Sequence, residues 1–195
     1  MTITAGATSR LPTRFGDFGL QVFTSTNAQG QTQEHLALAT GVLSDNALVR
    51  VHSECATGDI FGSLRCDCRD QLELSLERIA EEGHGLLIYL RGHEGRGIGL
   101  GNKIRAYALQ EKGMDTVDAN THLGFGVDER DYADAADILK HYNLGRIRLL
   151  TNNREKILAL LKAGITVTTH VPLWAATNPH NEKYVATKRD RMGHM

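Results

Sequence analysis

The chain is short of cysteine and proline, with three of each in 195 residues, and it lacks any long apolar run. Each shortage excludes something. A small, odd cysteine count in a chain of this length does not make a disulfide framework. No apolar stretch approaches the ~20 residues that cross a bilayer, so no membrane partner is expected. Residues 1–14 are polar and rich in small side chains, without the apolar segment of a signal peptide. Reduced cysteines and no export signal together give a cytoplasmic expectation. Charge of one sign is also missing: the net charge is -1, with 23% charged residues. Bulk nucleic-acid binding draws on a basic face, so none is expected, and any anionic ligand must be met locally by a few placed Arg and Lys. There is no internal repeat or low-complexity segment. At 41% hydrophobic, 195 residues support one domain, 1–195, with a proper core.

What is present is concentrated. Cys55, Cys66 and Cys68 fall within fourteen positions, and His52-Ser53-Glu54 runs into the first of them. Scattered cysteines would read as core filler; crowded ones read as metal ligands. On extended backbone Cys66 and Cys68 point the same way. Cys55 would complete a three-sulfur face, one ligand short of a closed tetrahedron, as in catalytic zinc sites that keep a position for water. The alternative is a closed structural site with His52 as fourth ligand. That requires the chain to turn, because residues three apart on one strand face opposite sides.

The hydrophobic pattern predicts a mixed α/β (α+β) fold, a single domain with helices packed on a mixed sheet. Leu20–Phe23, Leu36–Ala39 and Ala47–Val51 read as strands of an antiparallel first half. Leu72, Leu76, Ile79 and Ala80 recur at helical spacing, with Gly83 as the stop. The continuously apolar Gly85–Leu90 reads as a buried strand. A βαβ-like second half follows: helices through Ile104 and Tyr107, through Ala135 and Leu139, and through Ile157 and Leu161, with strands Ile147–Leu150 and Ile165–Thr168. Residues 1–10 are expected to be flexible, and 178–195 a loosely ordered segment, helical at most.

Several segments offer weak chemical signals. His93 to Gly99 is a glycine-rich strand-to-helix loop, where backbone can approach an anion and Arg96 adds a bidentate fork; such glycines are also common for steric reasons. Arg130 sits just before a helix, where the dipole disfavours a cation. Tyr107 lies on an apolar stripe and by itself reads as core. Thr151-Asn152-Asn153 ends a parallel-type strand, where open sheets place ligands, with Lys156 a turn later; helix capping explains such residues equally well.

Taken together, these segments strongly resemble the GTP cyclohydrolase II family. The resemblance runs through Arg50-Val51-His52-Ser53-Glu54-Cys55, Leu64-Arg65-Cys66-Asp67-Cys68, Glu94-Gly95-Arg96-Gly97-Ile98-Gly99-Leu100 and Asn102-Lys103-Ile104-Arg105-Ala106-Tyr107. It continues in Asp115 to Asn120, Leu123-Gly124-Phe125, Asp128-Glu129-Arg130 and Leu149 to Asn153, with Leu11-Pro12-Thr13 before and Met192-Gly193-His194 after. It implies one zinc per subunit on Cys55, Cys66 and Cys68. It implies a GTP site of Arg50, Val51, His52, Ser53, Glu54, Gln71, Glu94, Gly95, Arg96, Thr116, Thr151 and Lys156, with Mg²⁺ accompanying the triphosphate. Asp128 matches a proton acceptor, Arg130 a nucleophile at the α-phosphorus, and Tyr107 a residue that orients water or the formyl group. The implied reaction converts GTP to 2,5-diamino-6-ribosylamino-4(3H)-pyrimidinone 5′-phosphate with release of formate and pyrophosphate, at the start of riboflavin biosynthesis, in a homodimer.

Physical chemistry qualifies this. Three thiolates on Zn²⁺ carry net charge of about -1 and acidify water less than neutral-histidine sites do; hydrogen bonds from Tyr107 and Glu54 are expected to compensate. Guanidinium stays protonated, so Arg130 is expected to stabilise charge rather than attack. Many family members read Arg-Gln-Glu-Gly-Arg where this chain has Arg91-Gly92-His93-Glu94-Gly95-Arg96; His93 in the expanded loop reads as a solvated residue. Two rivals stand beside this function. His52-Ser53-Glu54 matches the H-x-E of zinc nucleobase deaminases, although their P-C-x-x-C is replaced by C-x-C. A non-catalytic GTP-binding zinc module is the other.

Overall fold

Seven strands form one sheet in a computed structural model of the chain, which describes residues 2–27, 29–126 and 128–191. The strands are β1 (Thr2–Thr13), β2 (Gly16–Thr26), β3 (Thr32–Thr40), β4 (Ala47–Ser53), β5 (Gly85–Leu90), β6 (Arg146–Leu150) and β7 (Thr166–Val171). Their spatial order is β1-β2-β3-β5-β4-β6-β7. The pairs β1–β2, β2–β3 and β3–β5 are antiparallel, while β5–β4, β4–β6 and β6–β7 are parallel. The mixed α/β domain expected from the hydrophobic pattern is therefore present, with its antiparallel and parallel halves meeting at β5.

The sequence explains the division. β4 and β5 read Ala-Leu-Val-Arg-Val-His-Ser and Gly-Leu-Leu-Ile-Tyr-Leu and are buried nearly throughout, as strands covered on both faces must be. β1 alternates only the small apolar run Ile3, Ala5 and Ala7, of which Ile3 packs on the core, and is mostly exposed at the sheet edge. The opening residues for which flexibility is expected thus belong to an edge strand.

Alternation along β4 and β5 sends side chains to two cores. Val49, Val51, Leu86, Ile88 and Leu90 pack under helix α4 (Ala133–His141) and helix α5 (Arg154–Lys162), against Ile138, Leu139 and Leu160. Leu48 and Leu87 face helix α1 (Cys68–Glu82) through Ile79, Leu72 and Leu76. Each such side chain, fully buried, contributes ~1.5–3 kcal/mol. Two further helices, α2 (Leu100–Gln110) and α3 (Thr116–His122), lie between β5 and α4 in the chain. Helix α6 (Glu182–Arg191) closes the described residues and touches α3. The Met192-Gly193-His194 segment of the resemblance lies outside the described residues.

Candidate functional site

Because β4, β5 and β6 are parallel, their carboxyl ends reach the same edge. After β4 the chain crosses by α1 to β5 on one side, then returns past β4 to β6 on the other. Ligands sit outside such reversal points, and here a cleft of about 1080 Å³, its open mouth included, occupies that place.

Sulfur lines one end. The ligand atoms of Cys55, Cys66 and Cys68 lie within 4.8 Å of one another, and Cys55 Sγ is 3.7 Å from Cys66 Sγ. Tetrahedral Zn–S bonds of ~2.3 Å would set sulfurs ~3.8 Å apart, so the spacing fits zinc. Gly58 makes the cradle: a Cβ there would meet Cys66 Sγ at 2.8 Å and Cys55 Sγ at 3.2 Å. Its neighbour Asp59, on a single π-turn (Ala56–Ile60), accepts from Cys55 N–H (3.0 Å) and Tyr89 Oη (2.8 Å). Asp59 also holds His52 Nε2 at 3.2 Å, so His52 is engaged away from the sulfurs and the three-cysteine set is the one the fold assembles.

The thiols differ sharply. Hydrogen bonds from Cys66 and Cys68, then the Lys103 ammonium, push the Cys55 thiol far below its ordinary value against the opposing effect of burial. Cys66, beside that thiolate, is pushed up to about 11. Lys103 Nζ donates to Cys55 Sγ (3.1 Å), Thr57 Oγ1 (2.8 Å) and Glu94 Oε1 (2.6 Å). Tyr107, one turn further along α2, places its Oη 3.5 Å from Thr57 Oγ1, with Arg65 stacked 4.1 Å over its ring. It lines the cleft rather than filling the core. Glu54 also lines the cleft, but its carboxylate is committed elsewhere. Its carboxylate accepts from Gly92 N–H at 2.8 Å.

Cations gather at the other end. Arg50 donates to Leu150 O (3.0 Å) and to Gln71 Oε1 (2.8 Å), and burial lowers its guanidinium to about 10. Lys156 Nζ donates to Val51 O (2.5 Å); burial, then Arg50 and Arg130, push it well below the ordinary lysine value. Arg130 grips Asp128 through Nε (2.7 Å) and a second, shorter contact, and Arg96 NH1 reaches the same carboxylate at 3.3 Å. Burial opposes the Arg130 charge, but Asp128 outweighs it and holds the group firmly protonated. Arg96 sits at φ 68, a conformation side chains rarely adopt.

Among the expected residues, Ser53, Gly95, Thr116 and Thr151 also face the cleft. Val51 does not: its side chain is in the core under α4, and only its carbonyl reaches Lys156. Asp128 stands behind Arg96 and Arg130. His93 is not the solvated residue its loop position suggests. It bonds Ser53 Oγ (3.2 Å) and packs edge-on to Tyr132, and burial, with Arg130 and Lys156 nearby, lowers it to about 3.

Reading the chain alone misses Lys103, Asp59 and Lys188. Lys103 carried a signal, since it lies four residues before Tyr107 and shares its helix face. Lys188, from α6, pairs with Asp67 (2.6 Å), whose other oxygen accepts from Gln71 (2.7 Å), linking the last described helix to Arg50. Nothing local in the polar sequence of α6 announces that role.

Known proteins are similar to this chain. The profile of a family described as GTP cyclohydrolase II matches residues 4–172. A GTP cyclohydrolase-2 of Azotobacter vinelandii is 52% identical over 100% of this chain and 93% of its own length. One from Pseudomonas aeruginosa is 52% identical over 94% of its length. A riboflavin biosynthesis protein RibBA of Salinispora tropica is 52% identical over 97% of this chain, which spans 47% of that longer protein. Among solved structures, a two-domain 3,4-dihydroxy-2-butanone 4-phosphate synthase of A. baumannii is similar in fold, with TM-score 0.50 at 17% identity over 87% of this chain and 40% of the other.

Proposed function

The chain belongs to the GTP cyclohydrolase II family, hydrolases of riboflavin biosynthesis, and we propose that it opens the imidazole ring of GTP and releases formate and pyrophosphate. The product left is 2,5-diamino-6-ribosylamino-4(3H)-pyrimidinone 5′-phosphate. The observation that carries this reading is one cleft with a three-sulfur face at one end and clustered cations at the other.

Cys55, Cys66 and Cys68 would hold zinc, which supplies Lewis acidity and an activated water for hydrolysis at C8 of the guanine. Tyr107 borders the sulfurs and offers a phenol proton to the opening ring or the departing formyl group. Arg50, Arg96 and Lys156 bind triphosphate oxygens, with magnesium as the additional counter-charge. Arg130, oriented by the two-point grip of Asp128, stabilises charge as pyrophosphate leaves. Its firm protonation leaves no lone pair for nucleophilic attack. A single domain acting as a cytoplasmic homodimer completes the proposal; exposed Phe61, Leu64, Leu100 and Ile104 are apolar surface suited to a second copy.

The test mixes zinc-loaded protein, magnesium and GTP, and scores formate, pyrophosphate and the ultraviolet change from loss of the purine, beside a chelated control. Stoichiometric formate and pyrophosphate are expected, and chelation abolishes formate. Ammonia in place of formate would make the protein a deaminase. Tight GTP binding without turnover would make it a nucleotide-binding module.

A further inference from the structure

Lys103 is the one side-chain cation that the structure sets on a cysteine sulfur among the described residues. It is 8% exposed and spends all three ammonium hydrogens, on Cys55 Sγ, Thr57 Oγ1 and Glu94 Oε1. The cage around it is rigid. Glu94 Oε2 accepts from Ala56 N–H at 2.6 Å, so the carboxylate is tied to the backbone directly after Cys55. Gly95, at φ 59, lets the loop pass α2: a Cβ there would lie 3.0 Å from Lys103 Cβ. A surface lysine pairing loosely with a carboxylate would need none of this.

We propose that Lys103 is a positioning residue of the metal centre, whose hydrogen bond to Cys55 Sγ weakens that sulfur as a donor and so raises the Lewis acidity of the bound metal. The inference rests on the reading of the three cysteines as a zinc site. A sulfur that shares its lone pairs with an ammonium gives less electron density to the metal. Loss of outer partners of this kind typically costs about 10–100-fold in metal affinity or activity. Three thiolates leave the site with net charge of about -1, and the ammonium offsets it on one sulfur out of three. Tyr107 lies beyond Thr57 and Glu54 turns to Gly92, so neither provides that offset.

Cobalt(II) in place of zinc makes the claim visible, because the sulfur-to-cobalt charge-transfer band reports donor strength directly. In Lys103→Met, and in Lys103→Gln as a second neutral variant, the band is expected to move to longer wavelength. With zinc restored, kcat for formate release is expected to fall ~10–100-fold while KM for GTP stays within about threefold. Lys103→Arg, which keeps charge and donors, is expected to recover part of both effects. A structural ion pair with Glu94 would leave the band in place. A normal band in wild type that neither neutral variant shifts overturns the role of Lys103 alone. No sulfur-to-cobalt band in wild type overturns the three-cysteine metal site beneath it.

Discussion

The two ends of the cleft are built on opposite principles. At the sulfur end most polar groups are matched, although His52 Nδ1 has no partner among the described residues: Asp59 takes three donors, Glu94 uses both oxygens, and Lys103 uses all its hydrogens. At the cationic end they are not. Arg96 and Arg130 share one carboxylate, Asp128, and Arg50 and Lys156 spend their bonds on neutral oxygens. Arg50 Nε and Arg96 Nε have no hydrogen-bond partner among the described residues. Buried donors without partners cost stability, and burial, then the nearby Arg50 and Arg130, depress the Lys156 charge. The first end is preorganised in a way that suits a small resident ion on the three sulfurs. On the proposed reading the second is held in deficit for an anion that comes and goes, and a bound triphosphate would supply the missing acceptors.

If the ends are separate devices, they should fail separately. Cys68→Ser is the largest test. It is expected to lower formate release by roughly 10³-fold or more and to reduce bound zinc, read by elemental analysis. Binding of GTP at the cationic end, read by calorimetry, should change by only about threefold. Ring scission that survives this variant breaks the comparison. Arg130→Lys strikes the other end. It keeps a charge but loses the two-point grip on Asp128, and pyrophosphate release is expected to slow by ~10²–10³. Zinc content should be untouched. A phosphoramidate trapped on Arg130 in the wild type would turn it from charge stabiliser into nucleophile.

The same contrast explains what could be read from the residues alone. β4 and β5 were legible because burial on both faces makes a strand continuously apolar, and α1 because its stripe ends at Gly83. β1 was not: in this edge strand, Thr2–Thr13, only Ile3 packs on the core, and the small, mostly exposed Ala5 and Ala7 give too weak an alternation to stand out. α3 escaped because seven residues give barely two turns of periodicity. In the site, cysteine is rare enough that spacing alone singles out the trio. Lysine is not rare, so Lys103 needed the third dimension to be separated from Lys112 or Lys162. Tyr107 shows the limit of the apolar stripe as a guide. The stripe was real, but α2 turns that part of it toward the cleft. For Gly95 and Gly97 the sequence allows both anion approach and steric need; the contacts a Cβ would make there, with Lys103, Ile98 and Glu129, show the steric need, while Gly95 also lines the cleft.

Tyr107→Phe sharpens the border between the ends. The hydroxyl meets Thr57 Oγ1, and the ring that stacks under Arg65 is kept in phenylalanine, so loss of the hydroxyl should leave zinc and GTP binding intact. Formate release is expected to fall ~10–100-fold, with a formylated, ring-opened product accumulating on chromatography. Unchanged formate release would remove Tyr107 from the chemistry and leave the sulfur end to Lys103 and the metal.

The smallest effect concerns His93, which stands on the cationic side against Ser53 and Tyr132. Burial, then Arg130 and Lys156, depress its folded value to about 3, whereas the unfolded chain keeps the ordinary 6.5. Between those values the unfolded state binds the extra proton, so stability is full above pH 6.5 and drains away as pH falls toward 3. Gln at this position cannot take a proton. His93→Gln is therefore expected to be more resistant to acid than wild type by about 1–2 kcal/mol at pH 5, with the difference vanishing above pH 7, as read by urea unfolding at each pH. The anion that relieves the cationic end should shrink the same gap, because a bound triphosphate screens Arg130 and Lys156 from the imidazole. Equal acid sensitivity of the two proteins would mean that His93 is hydrated in solution, and that the crowding of positive charge around it is relieved without any ligand.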